Sequence, residues 1–172
     1  MDTQKFSIFV KPKGALQAHL REVIRSLAQK YGGPVFEPHV TVLADIPHLT
    51  IEEAKSKTLT LAEKLQPYTM HFQDVSRGAE YFRCVFLKIQ ATEGVLSAFE
   101  EARKIFGYTD REEHMPHLSL FYGTIPEDQK RMMQNDVQQS VDPQQSFLAD
   151  TLSLYDMSGT PEEWRKVASF HL

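Results

Sequence analysis

The chain has 172 residues, 41% of them hydrophobic and 24% charged, with a formal net charge of −4. Such a length suits one domain with a sizeable core; the acidity argues against a protein built to grip long nucleic acid through its phosphates. No apolar run approaches the roughly 18 residues of a membrane span, and a single Cys84 rules out an intramolecular disulfide and any multi-cysteine zinc site.

The opening Met1-Asp2-Thr3-Gln4-Lys5 carries neither the basic nor the apolar region of a signal peptide, so a cytoplasmic location is the expectation. Phe6-Ser7-Ile8-Phe9-Val10 reads as a buried strand, closed by Pro12 and Gly14. Residues 15–31 place Leu16, Leu20, Val23, Ile24 and Leu27 on a helical stripe that stops at Gly32-Gly33-Pro34. A strand over about 37–44 follows. Thr50 and Glu53 form a capping box for a helix that runs to Pro67.

Tyr68 to Ser76 alternates and predicts a strand, Arg77-Gly78-Ala79-Glu80 a turn, and Tyr81 to Gln90 a second apolar strand, which together make a hairpin. Cys84, between Phe82, Val85 and Phe86, reads as a small buried hydrophobe. Thr92 caps a helix over 93–106 that ends at Gly107. A strand over about 115–122 comes next. Pro126, Glu127 and Asp128 open a helix through about 139. Ser146-Phe147-Leu148 leads into a strand at Leu152-Ser153-Leu154-Tyr155. After a loop at Ser158-Gly159-Thr160-Pro161, residues 164–172 read as the last strand.

Two of these strands share a motif. Pro38-His39-Val40-Thr41-Val42-Leu43 recurs 78 residues later as Pro116-His117-Leu118-Ser119-Leu120-Phe121. Both read Pro-His-apolar-hydroxyl-apolar-apolar. On a strand, His39 and Thr41 share one face, as do His117 and Ser119, each pair about 6–7 Å apart at about 3.3 Å per residue. The unit of strand, helix and His strand occurs twice, which predicts an internal duplication with a pseudo-twofold axis between the His strands. The fold class is α+β, with mostly antiparallel sheets and helices on the outer faces.

Two imidazoles and two hydroxyls in one polar patch suit phosphodiester cleavage. Histidine titrates near neutrality, so one neutral and one protonated ring serve as base and acid. Thr41 and Ser119 can donate to the non-bridging oxygens. Each strand offers one good metal ligand, and no carboxylate pair completes a site around Asp45 and His48, so neither a metal nor another cofactor is expected. A cyclic phosphate fits, because its strained ring opens while the leaving oxygen stays tethered. A base would stack on aromatics near the site: Phe36, Tyr81, Phe82 and Tyr122 are the candidates. Under strict pleating Tyr122 falls on the face opposite His117.

The paired motif resembles the signature of the two-histidine phosphoesterase superfamily, and most closely its cyclic phosphodiesterase branch. Gly33-Pro34-Val35-Phe36-Glu37-Pro38-His39-Val40-Thr41-Val42 is similar to that branch's first motif, and Met115-Pro116-His117-Leu118-Ser119-Leu120-Phe121-Tyr122 to its second. Val75-Ser76-Arg77-Gly78 followed by Tyr81-Phe82-Arg83-Cys84-Val85-Phe86-Leu87 resembles its central hairpin, and Trp164 with Val167-Ala168 its C-terminal strand. The resemblance implies one domain over 1–172, bilobal and pseudo-symmetric, with two antiparallel sheets facing a water-filled central cleft. It also implies metal-independent hydrolysis of ADP-ribose 1″,2″-cyclic phosphate to the 1″-phosphate, and of nucleoside 2′,3′-cyclic phosphates to 2′-phosphates. By the same resemblance His39 and His117 are catalytic, Thr41 and Ser119 hold the phosphate, and Phe82 and Tyr122 line the substrate pocket. His117 is then the base and His39 the acid, an order on which the pseudo-symmetric residues are themselves nearly silent. The extra cysteines of plant members are missing, so redox control of that kind is not expected.

The expected partner is a small cyclic-phosphate nucleotide bound by a monomer. Two alternatives stay open. An RNA-end enzyme, acting on 2′,3′-cyclic ends or 2′,5′ linkages, would need a basic track, for which Lys11, Lys13, Arg77 and Arg83 are the candidates. A non-catalytic nucleotide-binding module would bind a cyclic phosphate without turning it over.

Overall fold

Alternating and helical apolar periods convert into eight strands and four helices over the described residues, 4–172, of this computed structural model. In chain order they are β1 (Lys5–Val10), α1 (Gly14–Tyr31), β2 (Val40–Pro47), α2 (Ile51–Lys64), β3 (Tyr68–Arg77), β4 (Val85–Ile89), α3 (Glu93–Phe106), β5 (His117–Phe121), α4 (Glu127–Ser140), β6 (Ser146–Ala149), β7 (Thr151–Asp156) and β8 (Arg165–His171). The first three residues, Met1, Asp2 and Thr3, which carry most of the leader-peptide expectation, lie outside the described set. No described helix is long and apolar enough to cross a membrane.

Local chemistry sets the helix ends. Thr50 accepts from the Glu53 amide at 3.2 Å while the Glu53 carboxylate accepts from the Thr50 amide at 2.7 Å, a reciprocal box that satisfies two donors at the start of α2. Thr92 caps α3 through the Val95 amide. Gly32 and Gly107 end α1 and α3 at φ 82° and 85°, where a side chain would crowd the backbone. Pro126 stands just before α4 as its N-cap, one position earlier than the first helical turn.

The strands form one antiparallel sheet in the order β6-β3-β4-β5-β2-β1-β7-β8. The two facing sheets expected from the resemblance are therefore halves of a single sheet. The reason is local: the two motif strands pair directly, through Val40 and Leu118, and this one bridge closes the ladder between the halves. Swapping β1 for β4, β2 for β5, β7 for β3 and β8 for β6 maps one half of the order onto the other. The helices do not all keep to the outside either, because the C-terminal turns of α3 bring Phe99 and Arg103 to the wall of a cleft.

Three further boundaries depart from the sequence reading. Both motif strands start later than expected, β2 after His39 and β5 at His117, since Pro38 and Pro116 have no N–H to give a ladder; β2 runs on to Pro47 while β5 stops at Phe121. Tyr81–Arg83 is a 3₁₀ turn and not strand; Arg83 N–H donates to the Glu80 carbonyl at 3.1 Å and Gly78 N–H to that of Cys84 at 2.9 Å, which tightens the hairpin. Residues 146–156 divide into two strands that serve opposite halves of the sheet, β6 on β3 and β7 on β1.

The two halves also meet where the first motif's loop passes over the end of β5. A Cβ on Gly33 would lie 2.5 Å from the Phe121 ring and 2.9 Å from the Tyr122 carbonyl oxygen. Gly33→Ala should therefore cost about 1–3 kcal/mol, read as a lower urea midpoint; an unchanged midpoint would show that this approach is looser than described.

Candidate active site

The Val40–Leu118 pair is antiparallel, so one step along the ladder sets His39 across from Ser119, and one step the other way sets Thr41 across from His117. All four side chains open into one cleft of about 690 Å³. In each motif the ring Nδ1 donates to the carbonyl two residues back, His39 to Glu37 at 2.7 Å and His117 to Met115 at 3.0 Å. A carbonyl can only accept, so both neutral rings carry their hydrogen on Nδ1 and leave Nε2 as the bare, basic atom. The intervening proline supports this local geometry by favouring an extended backbone at the residue before it.

Burial sets the electrostatics. His39 is 6% exposed, stacked on Phe9 with ring centroids 3.8 Å apart. Desolvation pushes its pKa down to about 4; the Glu37 bond pulls the other way, and the charges of His117 and Lys11 add to the fall. His117 is half-buried, edge-on to Phe86, and is lowered chiefly by burial, with the Arg83 charge adding to the effect. Thr41 is half-buried on β2. Ser119 is buried, and its Oγ donates to the Phe82 carbonyl at 2.8 Å, tying the 3₁₀ turn to the second motif.

The aromatic candidates separate. Phe82 lines the cleft and is 53% exposed, an unusual position for a large apolar ring. Tyr122 also lines it, because β5 ends at Phe121 and the next residue is released from the pleat that would have turned it away. Tyr122 stacks on Phe36 with centroids 3.7 Å apart, and Phe36 faces an adjoining pocket of about 210 Å³ instead of the cleft. Tyr81 packs edge-on against Phe82 outside the cleft lining. Trp164, treated above only as part of the last strand, stands 5.9 Å from both Phe82 and Tyr122 and lines the cleft. Phe9, which also lines the cleft, was passed over; its signal was the alternation that puts Ser7 and Phe9 two residues apart on one face of β1.

The four basic candidates do not form a track. Arg77 pairs with Glu127 and Gln134 beside a separate pocket. Lys13 pairs with Asp150 at 2.5 Å. Lys11 donates to Tyr155 Oη at 2.8 Å, and Arg83 pairs with Glu80 at the cleft. Asp45 lies on the cleft rim at φ 51°, where β2 bulges opposite Ser7, and pairs loosely with Lys5 at 3.8 Å. His48 is not among the cleft residues. Among the described residues no group of three or more His, Cys, Asp or Glu is placed to hold a metal ion. Cys84 is fully buried, and burial raises its thiol pKa.

The model of a family described as cyclic phosphodiesterase-like protein matches residues 6–172. A curated relative from Arabidopsis thaliana, named cyclic phosphodiesterase, is 33% identical over 129 residues, which cover 75% of this chain and 71% of the relative. Among solved structures, Escherichia coli LigT complexed with 3′-AMP matches at a TM-score of 0.64 and 16% identity over 99% of both chains. Its apo form matches at 0.65 and 15%, over 100% of this chain and 99% of the other. TT0787 of Thermus thermophilus matches at 0.63 and 17%, over 98% and 97%. At these identities the structural likeness is one of fold.

The depressed His39 pKa links folding to pH. Below about pH 6.5 the unfolded chain takes up a proton that the folded ring refuses until about pH 4, so stability falls as pH is lowered through that window. The loss amounts to on the order of 3 kcal/mol from this ring. Urea denaturation at several pH values should show that decline, and a shallower one for His39→Gln; equal slopes would mean that burial does not hold the ring neutral.

Proposed function

This chain belongs to the cyclic phosphodiesterase-like family, and from that premise we propose that its cleft opens cyclic phosphates by metal-independent acid–base catalysis between His39 and His117. The observation that carries the reading is the pair of imidazoles from two distant motifs, in one cleft, each with Nδ1 occupied and Nε2 free.

His117, the more open ring, takes a proton from the attacking water on Nε2 as the water oxygen bonds to phosphorus. The phosphorus–oxygen bond of the ring breaks in line, and protonated His39 delivers its Nε2 proton to the departing oxygen. The product is a ring-opened monoester. Buried His39 binds a proton poorly in the free protein, so the phosphate's negative charge supports the charged form as substrate arrives. Once charged, the ring carries on Nε2 the proton that the departing oxygen needs. Thr41 and Ser119 donate to the non-bridging oxygens, Ser119 giving up its Phe82 bond to do so. Phe82, Tyr122 and Trp164 offer apolar faces for a base or a second ring of the substrate.

The substrates this reading assigns are ADP-ribose 1″,2″-cyclic phosphate, opened to the 1″-phosphate, and nucleoside 2′,3′-cyclic phosphates, opened to 2′-phosphates. The dispersal and pairing of Lys13 and Arg77 weigh against an RNA-end enzyme with an extended phosphate track.

Purified protein with excess chelator should turn over nucleoside 2′,3′-cyclic phosphate, with phosphorus NMR identifying the 2′-phosphate. No turnover on any cyclic phosphate would overturn the assignment, and faster turnover of an oligonucleotide than of a mononucleotide would favour the RNA-end alternative. His39→Ala or His117→Ala should lower kcat by about 10²–10⁴, and Thr41→Val or Ser119→Ala by about 10²–10³. Phe82→Ala should act mainly on KM.

A further inference from the structure

The geometry points to Arg103 as a positioning residue for His117: it straps the loop that delivers the carbonyl on which the His117 ring is set. The inference rests on the phosphodiesterase reading of the cleft for its kinetic consequences, and on the observed contacts for its structural ones.

Arg103 stands in the last turn of α3, only 4% exposed. A buried guanidinium is costly unless its donors are met. All of the guanidinium's hydrogen-bond partners lie in the stretch between α3 and β5, which has no regular secondary structure to hold it. Nη1 donates to Glu112 Oε2 at 2.7 Å; Nη2 donates to the Asp110 carbonyl and to its Oδ1, both at 2.8 Å. The guanidinium also sits 5.2 Å from the Tyr108 ring and 5.4 Å from that of Phe99. Phe99 makes the second attachment, stacking on His114 with centroids 4.0 Å apart and planes 6° from parallel. The next residue is Met115, whose carbonyl accepts from His117 Nδ1.

The pairing carboxylates are themselves open to solvent, 71% for the Asp110 side chain and 61% for Glu112. They have no need of a buried partner for their own solvation. What the pairing accomplishes is to draw the loop down onto α3.

The first half of the sheet repeats the arrangement independently. Arg21 of α1 forks onto the Glu37 carboxylate, Nε at 2.9 Å and Nη2 at 2.8 Å from Oε2, and the Glu37 carbonyl is the acceptor for His39 Nδ1. In both halves an arginine of the preceding helix grips an acidic residue of the loop that orients the histidine. The spacings differ, so the recurrence is one of function in space and not of aligned sequence.

The test uses the full chain and loosens the strap from its exposed side, where Asn and Gln still offer an oxygen to the guanidinium: the double variant Asp110→Asn/Glu112→Gln, alongside Arg103→Met. Two quantities are read, kcat and KM on nucleoside 2′,3′-cyclic phosphate, and the ring-nitrogen NMR signature of the His117 tautomer at neutral pH. The double variant should lose about 10- to 100-fold in kcat with KM within about twofold, and the His117 signature should change from Nδ1–H to a tautomer mixture while that of His39 is unchanged. Arg103→Lys should not rescue Arg103→Met, because one ammonium cannot span Asp110 and Glu112 as the planar fork does. Lys104→Met, on the exposed side of the same turn, should match the parent. If the double variant keeps both kcat and the His117 tautomer while its thermal midpoint falls, Arg103 is a structural residue only and the inference is overturned. If the parent turns over no cyclic phosphate, the cleft's assignment fails, and the tautomer measurement alone decides whether the strap positions His117.

Discussion

A single backbone pairing, Val40 with Leu118, makes one site out of two motifs 78 residues apart. Each motif alone is a short strand with a proline before it. Side by side and antiparallel, each presents a hydroxyl across from the other's imidazole. The loops on either side adapt to that pairing. The chain after α1 folds over β5 so closely that position 33 has no room for a side chain, and Phe36 comes to rest flat on Tyr122. The 3₁₀ turn at residues 81–83 is tied down by Ser119, so the most exposed aromatic ring at the cleft hangs from the second motif's own hydroxyl.

The site is built around imidazoles that burial holds in the uncharged form. His39 lies against Phe9, and Tyr155 packs on that same ring at 4.9 Å. An uncharged imidazole with one nitrogen occupied by a carbonyl is a one-sided reagent, open only at Nε2. Preorganisation of this kind removes the need to reorient a ring during reaction and makes charge interactions in the cleft stronger than in bulk solvent.

Much of this was legible because it is local. The capping residues Thr50, Glu53, Thr92 and Gly107 mark helix ends through bonds made within one turn. The four motif residues stood out because the same pattern occurs twice. What stayed hidden is what tertiary contact decides. Alternation within β2 and β5 cannot say whether the two strands belong to one sheet or two; the register between them does. Tyr81-Phe82-Arg83 reads as apolar strand, yet the amide of Gly78 reaches past it to Cys84 and makes a turn. Tyr122 obeys the pleat only if the strand continues, and it stops one residue earlier. Trp164 and Arg103 come from elements whose sequence proximity to either motif is slight, so only the fold shows them at the cleft.

The order of the sheet has a bearing on how the molecule is made. One half, β6-β3-β4-β5, is a continuous run of chain from residue 68 to 149, while the other assembles β1 and β2 with β7 and β8 from the opposite end. On a ribosome the half between residues 68 and 149 can complete its own strands first, whereas β1 waits for residues 151–156 before its second neighbour exists. His39 therefore receives its stacking ring early but the surrounding Tyr155 and Trp164 late, which couples a complete cleft to the emergence of residues 151–164.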